Sequence, residues 1–245
     1  MLARGSLLSA LIVSSLLASP ARSEIITISN GSFESPELPD ASPYATPDIS
    51  DWQKATTPDW WKTAGRTDAA WYQSAGIFLN VPFAPIDNVD GKQVAFMFAT
   101  PGLELFQDLT ATFEVGKSYH LTTGIVGGGY GMNLGVPMEI RLYYRNANND
   151  RVTIGAAVAT NTNSTGVLSH LTDYQLDIPA VDAGDAWAGK NIGVQLIQTV
   201  ELKDAGGYWD IDNVRLTAVP EPASLALLAV GLGVFAARRW RASKK

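Results

Sequence analysis

The sequence predicts an all-β body, an antiparallel two-sheet β-sandwich of the jelly-roll type, between an N-terminal signal helix and a C-terminal transmembrane helix. Nine runs rich in β-branched and aromatic residues follow one another between residues 24 and 217. Clusters of Gly, Asn, Asp and Ser separate many of these runs, as turns between antiparallel strands require. No stretch of the body keeps a 3.6-residue apolar period over three turns, which argues against an α/β or helical fold.

Residues 1–23 have the pattern of an export signal. Arg4 supplies the positive start, Leu7 to Leu17 form a short apolar run, and Ala21-Arg22-Ser23 is a small-x-small cleavage site. A run of about 11 residues is too short for a membrane anchor, which needs roughly 20. We therefore expect the mature chain to begin near Glu24.

The body, residues 24–218, has a size that suits one domain. It holds 11 of the 18 Lys and Arg and 23 of the 24 Asp and Glu, a formal charge of −12. Such a surface would repel nucleic acid, because phosphate binding needs clustered cations. The chain has no cysteine, which excludes disulfides, thiol nucleophiles and thiolate metal sites.

The strand predictions rest on the apolar and β-branched runs and on the turns beside them. A glycine-rich segment, 127–135, is interpreted as a flexible strand connection that presents Tyr130 to a ligand or only links two strands. The nine predicted strands are 24–29, 93–99, 109–115, 119–126, 138–145, 152–159, 173–178, 192–200 and 209–217.

Four of the six tryptophans of the body lie in one segment without clear regular structure: Trp52, Trp60, Trp61 and Trp71. Exposed indole rings stack on the apolar faces of sugars, so this segment is a candidate carbohydrate platform. The alternative is a long loop that folds over one end of the sandwich and is packed by its own aromatic side chains.

Catalytic motifs are missing from the sequence. It has no G-x-S-x-G elbow and no H-E-x-x-H, and only His120 and His170 could supply an imidazole base. The sequence alone therefore leads to the expectation that the protein is not an enzyme.

Four short motifs occur in order along the body: 30–34 after the first strand, 107–109, 116–121 and 209–216. This order resembles the galactose-binding-like jelly rolls, the fold of many carbohydrate-binding modules. The resemblance implies a structural calcium ion held by Glu34 and Asp212 with backbone carbonyls, a ligand set that suits calcium. Asp210, two residues before Asp212, would share its strand face and add a third oxygen. The alternative is that Glu34 caps a turn and Asp212 accepts hydrogen bonds from a neighbouring loop.

The segment from Ile25 to Met97, with 30–34, Trp52, 76–78 and 91–95, also resembles the calcium-dependent cyanobacterial indole-alkaloid cyclases. That resemblance implies an aspartic acid acting as general acid in an aromatic pocket, with Asp212 as the nearest matching position.

Residues 219–245 combine three parts in order. The motif Val219-Pro220-Glu221-Pro222 precedes fifteen uncharged residues, 223–237, and a basic tail, 238–245, that begins with Arg238 and Arg239. This order resembles the PEP-CTERM sorting tail of Gram-negative exopolysaccharide producers. It implies a transient inner-membrane anchor with a cytoplasmic basic end, and processing by an exosortase-type membrane protease.

These observations lead to the expectation of an exported, exosortase-sorted protein at the cell surface or in the extracellular matrix. We expect it to bind carbohydrate, in particular the producer's exopolysaccharide, without catalysis. The alternatives are a structural biofilm-matrix protein without a ligand site and a calcium-dependent cyclase-like enzyme.

Overall fold

The computed structural model of the protein describes residues 22–40, 44–82 and 84–221. Nearly all of the predicted signal, and the predicted transmembrane helix with its basic tail, lie outside these residues. Two short helices, α1 (Asp59–Thr63) and α2 (Asp68–Tyr72), and one 3₁₀ turn (Leu202–Asp204) accompany the strands. The strands are β1 (Glu24–Ile26), β2 (Ala45–Thr46), β3 (Gln53–Lys54), β4 (Ala75–Leu79), β5 (Gln93–Phe98), β6 (Glu104–Thr112), β7 (Lys117–Gly129), β8 (Pro137–Arg145), β9 (Arg151–Thr160), β10 (Thr172–Ile178), β11 (Asn191–Gln198) and β12 (Tyr208–Pro220).

The strands form two antiparallel sheets that pack face to face. Sheet A has the order β10-β7-β12-β5-β4-β2, and β1 also pairs with β12. Sheet B has the order β3-β6-β11-β8-β9. The predicted all-β sandwich is confirmed.

All nine predicted strands are present, with different bounds. The strand expected to start at Leu109 starts at Glu104, β7 continues through Gly129, and β12 continues to Pro220. The glycines at 127–129 thus belong to a strand and not to the predicted flexible connection. Three strands, β2 to β4, are missing from the prediction.

The core lies between the sheets and follows the two-residue period of the strands. In β12, Trp209 and Ile211 are buried among core side chains, and the period resumes at Leu216 and Ala218 after a register shift between Asp212 and Arg215. The intervening Tyr208 and Asp210 lie on the outer face of sheet A, beside Phe98 and Phe96 of β5 respectively.

The tryptophan-rich segment contains β3 and the two short helices. The hydroxyl of Thr67 accepts a hydrogen bond from the backbone N–H of Ala70 and so caps α2. Five-residue helices leave no room for a helical period, which is why the sequence pattern did not predict them.

Among residues 22–40, 44–82 and 84–221, no helix has the length and apolar character needed to span a membrane.

Candidate active site

Four aromatic side chains line the outer face of sheet A: Phe78 of β4, Phe96 and Phe98 of β5, and Tyr208 of β12. We call this surface the aromatic groove. Successive ring centroids are 6.5, 6.1 and 5.8 Å apart from Phe78 to Tyr208, distances typical of favourable aromatic pairs. The groove is therefore an apolar floor of touching rings on the outside of the sandwich.

Glycines of the neighbouring strands make room for these rings. A Cβ on Gly129 would lie 2.5 Å from the ring of Tyr208, and one on Gly76 would lie 2.7 Å from the ring of Phe96. Each ring consequently lies across the glycine of the adjacent strand.

Two loops, residues 84–90 and 163–171, lie over one end of the groove. The N–H of Asp87 donates to the carbonyl of Ser169 at 2.9 Å, and the N–H of Leu171 donates back to the carbonyl of Asp87 at 3.0 Å. Ile86, Val94 and Leu171 form a small apolar cluster beneath these loops. Between the loops and the sheet lies a cavity of about 580 Å³ that shares Phe78 and Tyr208 with the groove, a volume typical of small-molecule sites.

Asp210 lies at this covered end and lines the cavity. Its side chain is opposite Phe96 on one side and Val126 on the other. No group among the described residues donates a hydrogen bond to its buried Oδ1. Burial raises the pKa of Asp210 to about 8, so that this isolated carboxyl holds a proton at neutral pH.

Asp212 lies on the same face but has different partners. Its Oδ2 accepts a hydrogen bond from the N–H of Asp90 at 2.6 Å, while its buried Oδ1 has no partner among the described residues. Burial raises the pKa of Asp212 to about 7, and the nearby carboxylates of Asp90 and Glu34 contribute to the increase. The aromatic cavity is thus lined by Asp210 and not by Asp212, the position matched to the general acid from sequence.

Glu34 approaches the same loop as Asp212. Its Oε1 accepts hydrogen bonds from the N–H groups of Lys92 at 2.8 Å and Gln93 at 2.7 Å. Gly91 has a φ of +108°, and a Cβ there would lie 2.4 Å from Glu34 Oε1, so this approach requires glycine. Glu34 and Asp212 thus both accept backbone hydrogen bonds from the segment 90–93.

The same two residues have features that fit a calcium site. The unpartnered Asp212 Oδ1 and the nearby Glu34 carboxylate are hard oxygen donors of the kind that calcium takes. Within the described part of the chain, no three His, Asp or Glu side chains cluster closely enough to hold a metal by themselves. Carbonyl oxygens or water would have to complete such a site, and Asp210 faces the cavity instead.

The four tryptophans predicted to form a platform are mostly in the core. Trp52, Trp61 and Trp71 are 6%, 5% and 2% exposed, so protein atoms cover the faces on which a sugar would stack. Trp60 is half-buried, and its ring lies edge-on to both Trp61 and Trp71. A second cavity of about 470 Å³ meets the aromatic groove at Phe98. Its lining includes Trp60, Trp61, Arg66 and Gln73.

Tyr130 lies in the turn that follows β7, and 89% of its side chain is exposed. Tyr130 directly follows Gly129, which lies opposite Tyr208, so it is next to the strand position that borders the groove. Burial raises the pKa of Tyr208, and Asp210 and Tyr130 add to the increase.

Sequence reasoning missed the aromatic groove. The signal is in β5, where Phe96 and Phe98 alternate with Ala95 and Met97, so that both faces of the strand are apolar. A strand with two apolar faces needs a cover on each side or presents an apolar surface. The partners of these rings in β4 and β12 could not be read locally.

Of the predicted sorting residues, Val219, Pro220 and Glu221 are described and lie at the end of β12 or directly after it. Pro222, Arg238 and Arg239 lie outside the described residues.

Comparison with known proteins connects the fold to a family. The family model of HpiC1 cyclase matches residues 24–217. A crystal structure of the Stig cyclase Fisc from Fischerella sp. TAU, in complex with (3Z)-3-(1-methyl-2-pyrrolidinylidene)-3H-indole, matches at 22% identity with a TM-score of 0.59. The match covers 81% of this chain and 99% of that chain.

Another cyclase structure from Fischerella sp. TAU, in complex with 4-(1H-indol-3-yl)butan-2-one, matches at 23% identity with a TM-score of 0.58, covering 80% and 98% of the two chains. Carbohydrate-binding modules are also among the structural neighbours. One of them, TmCBM61 in complex with β-1,4-galactotriose, has 13% identity, a TM-score of 0.43 and coverage of 77% and 95%. No curated protein matches the chain.

The expectation of a non-enzyme is wrong. It depended on missing catalytic motifs, but the body matches a cyclase family along nearly its whole length, and enzymes share its fold. The PEP-CTERM sorting motif is matched at residues 218–241, which implies export and a C-terminal membrane-anchored sorting signal. The chain belongs to the HpiC1-like cyclase family over residues 24–217 and carries a PEP-CTERM protein-sorting motif at its end.

Proposed function

We propose that the body is a proton-transfer enzyme that cyclises or isomerises an apolar, unsaturated or aromatic substrate in the aromatic groove, with Asp210 as the acid–base residue. The observation that carries the proposal is the position of the Asp210 carboxyl. It lines a cavity of about 580 Å³ between two loops and sheet A, has an unpartnered oxygen and adjoins a floor of aromatic rings.

The chemistry follows from this arrangement. The Asp210 carboxyl donates its proton to a carbon–carbon double bond, which leaves a cationic carbon. A second π bond of the same substrate supplies the electron pair for the ring bond to this carbon and becomes cationic in turn. Loss of a proton from the carbon next to the new cation to the Asp210 carboxylate restores a π bond and gives a product of unchanged mass. The faces of Phe96 and Tyr208 stabilise positive charge on the substrate through cation–π attraction, and the loops at 84–90 and 163–171 border the substrate on one side.

The first test is a binding and turnover experiment on the exported domain. The binding probe is 4-(1H-indol-3-yl)butan-2-one, and turnover is sought by chromatography of indoles with unsaturated apolar side chains, as isomers of unchanged mass. We expect Phe98→Ala to weaken binding of the probe about tenfold. Val158→Ala is the control, because Val158 is also an exposed apolar side chain but lies on β9 of the other sheet.

Asp210→Asn should retain binding of the probe and lose about 10²- to 10⁴-fold in turnover, as removal of a general acid–base does. Asp150→Asn, in the turn between β8 and β9, should leave both unchanged. Equal turnover by the two variants, or probe binding that is insensitive to Phe98, would rule out this site.

Calcium belongs to the proposal as a structural ion. Glu34 and Asp212 would hold it with carbonyl oxygens of their own loops, and it would supply the charge that neutralises two neighbouring carboxylates.

A second candidate function is glycan binding beside the groove. The cavity at Trp60 combines one half-buried indole with the polar side chains of Arg66, Gln73 and Thr100, a composition that suits a sugar. Affinity electrophoresis in isolated exopolysaccharide tests it. Trp60→Ala should abolish retardation, and Tyr44→Ala, an exposed aromatic that does not line this cavity, should not.

The sorting signal suggests where in the cell this function takes place. The partner that we propose is an exosortase-type membrane protease, which removes the tail from the inner-membrane form. The released domain then resides at the cell surface or in the exopolysaccharide matrix, where its substrate or glycan is met.

A further inference from the structure

The sorting motif is continuous with the folded domain. β12 passes the expected domain end at Ala218, so that Val219 lies opposite Ser118 and Pro220 opposite Lys117. The N–H of Glu221 then donates to the carbonyl of Gly116 at 2.8 Å, and the hydroxyl of Ser118 donates to the carbonyl of Val219 at 3.2 Å. Val219 and Glu221 are therefore hydrogen-bonded to the segment Gly116–Ser118, and Pro220 between them lies opposite Lys117.

The segment Gly116–Ser118 is itself fixed to the core. The N–H of Gly116 donates to the carbonyl of Val181 at 2.9 Å, and the N–H of Val181 donates to the carbonyl of Lys117 at 3.0 Å. Val181 is only 1% exposed. The ammonium of Lys117 adds ion pairs to Glu24 at 2.8 Å and Glu114 at 2.9 Å. The segment Gly116–Ser118, which pairs with the motif, therefore cannot move without breaking contacts to the core of the sandwich.

The other edge of β12 shows where its protection ends. β1 pairs Glu24 with Ala218 and Ile25 with Thr217, so the segment of β12 just before the motif has a strand on both sides, β1 and β7, up to Ala218. Only β7 holds the motif beyond that point. The predicted anchor starts at Ala223, and the single residue between it and Glu221 spans at most about 7 Å. This linker is too short to give a protease at the membrane free chain to bind while the motif stays paired with β7.

We propose that the sorting motif is a conditional processing site, protected while the end of β12 pairs with Gly116–Ser118 and open to its protease only after residues from Val219 onward leave β7. The proposal rests on the exosortase-type partner proposed above. Proteases cut locally opened chain, and hydrolysis of the peptide bond consumes one water. The rate of tail removal then follows the free energy of fraying this strand end, and the body stays folded because β1 and β7 hold the residues up to Ala218.

A disulfide lock tests the proposal, since the natural chain has no cysteine to compete with it. Ser118→Cys with Val219→Cys joins directly opposed positions of an antiparallel pair, where the spacing of Cα atoms suits a disulfide. Tail removal is followed in the full chain by pulse–chase, in a Gram-negative host that carries an exosortase-type protease. We expect removal to be at least tenfold slower in the oxidised variant and to recover with reductant.

The control is Glu139→Cys with Val158→Cys, an opposed pair of β8 and β9 far from the motif, which should leave processing unchanged. Processing of the oxidised Ser118–Val219 lock at the wild-type rate would overturn the proposal.

Hydrogen exchange of the full chain in detergent gives a readout that needs no protease. The Glu221 amide should exchange at least tenfold more slowly than in the unfolded chain, and unprotected exchange would overturn the proposal. Protection without tail removal in any variant would count against the protease and support the strand-held motif.

Discussion

Lys54 is an unusual residue of the sandwich, because its ammonium is largely buried and reaches three backbone carbonyls. Nζ donates to the carbonyls of Pro47, Tyr72 and Ala75 at 2.5–2.7 Å and lies 3.9 Å from the centroid of the Tyr72 ring. Burial lowers its pKa to about 8, although the charge of Asp48 opposes the change. One side chain thus connects the loop after β2, the end of α2 and the start of β4.

Replacing Lys54 tests this role. Lys54→Met keeps the apolar stem but leaves three carbonyls without their donor, so we expect the free energy of unfolding to fall by about 2 kcal/mol. Lys62→Met is the control, because Lys62 is exposed and pairs only with exposed Asp68 at 3.4 Å; its loss should cost less than about 0.5 kcal/mol. Urea denaturation measures both, and equal losses would contradict the role of Lys54.

At the scale of the element, the last three residues of β7, Gly127 to Gly129, can pair with β12 because they are glycines. Gly127 and Gly129 lie where the rings of Trp209 and Tyr208 cross the strand, one on each side of the sheet. The same residues look like a flexible linker in sequence. Tertiary contact with β12 turns them into a strand, because only glycine leaves room for two aromatic rings at this spacing.

A methyl group at 129 tests this packing. Gly129→Ala places a Cβ 2.5 Å from the ring of Tyr208, so the ring must move, and overpacking of this kind costs about 1–3 kcal/mol. Displacing Tyr208 should also weaken binding of the indole probe. Gly184→Ala is the control, since nothing lies within 4 Å of its Cβ. Unchanged unfolding and unchanged probe binding in Gly129→Ala would contradict the described position of Tyr208.

At the scale of the whole molecule, the first and last parts of the domain meet at β1 and again around the segment 90–93. β1 pairs with the end of β12, and Glu34 and Asp212 approach the same loop, 90–93, from opposite ends of the sequence. A calcium ion bound by Glu34 and Asp212 would close this second contact and stabilise the entire fold, since a ligand that binds only the folded state shifts unfolding by mass action.

Calcium dependence of unfolding tests that idea. The melting temperature of the exported domain should rise in millimolar calcium and fall in chelator, and Asp212→Asn should remove most of the difference. Asp173→Asn, which loses only an exposed pair with Arg215, should keep it. A melting temperature that is the same in calcium and chelator would show that backbone hydrogen bonds alone serve these carboxylates.

The sequence by itself determined the fold class, nine of the twelve described strands and the C-terminal sorting motif, and the N-terminal export signal stays a prediction. Each depends on residues that are neighbours in the chain: alternation within a strand, turn residues beside it, and an apolar run beside basic residues. Such local patterns can be recognised without knowing which other strand or residue each one contacts.

Only the tertiary structure decided the site. Phe78, Phe96 and Tyr208 come from three strands, and their rings meet because β4, β5 and β12 are adjacent in sheet A. The choice between Asp210 and Asp212, two residues apart on one face, depends on which loop covers each carboxyl. The same holds for the sorting motif, whose composition is local but whose pairing with Gly116–Ser118 spans about a hundred residues of chain.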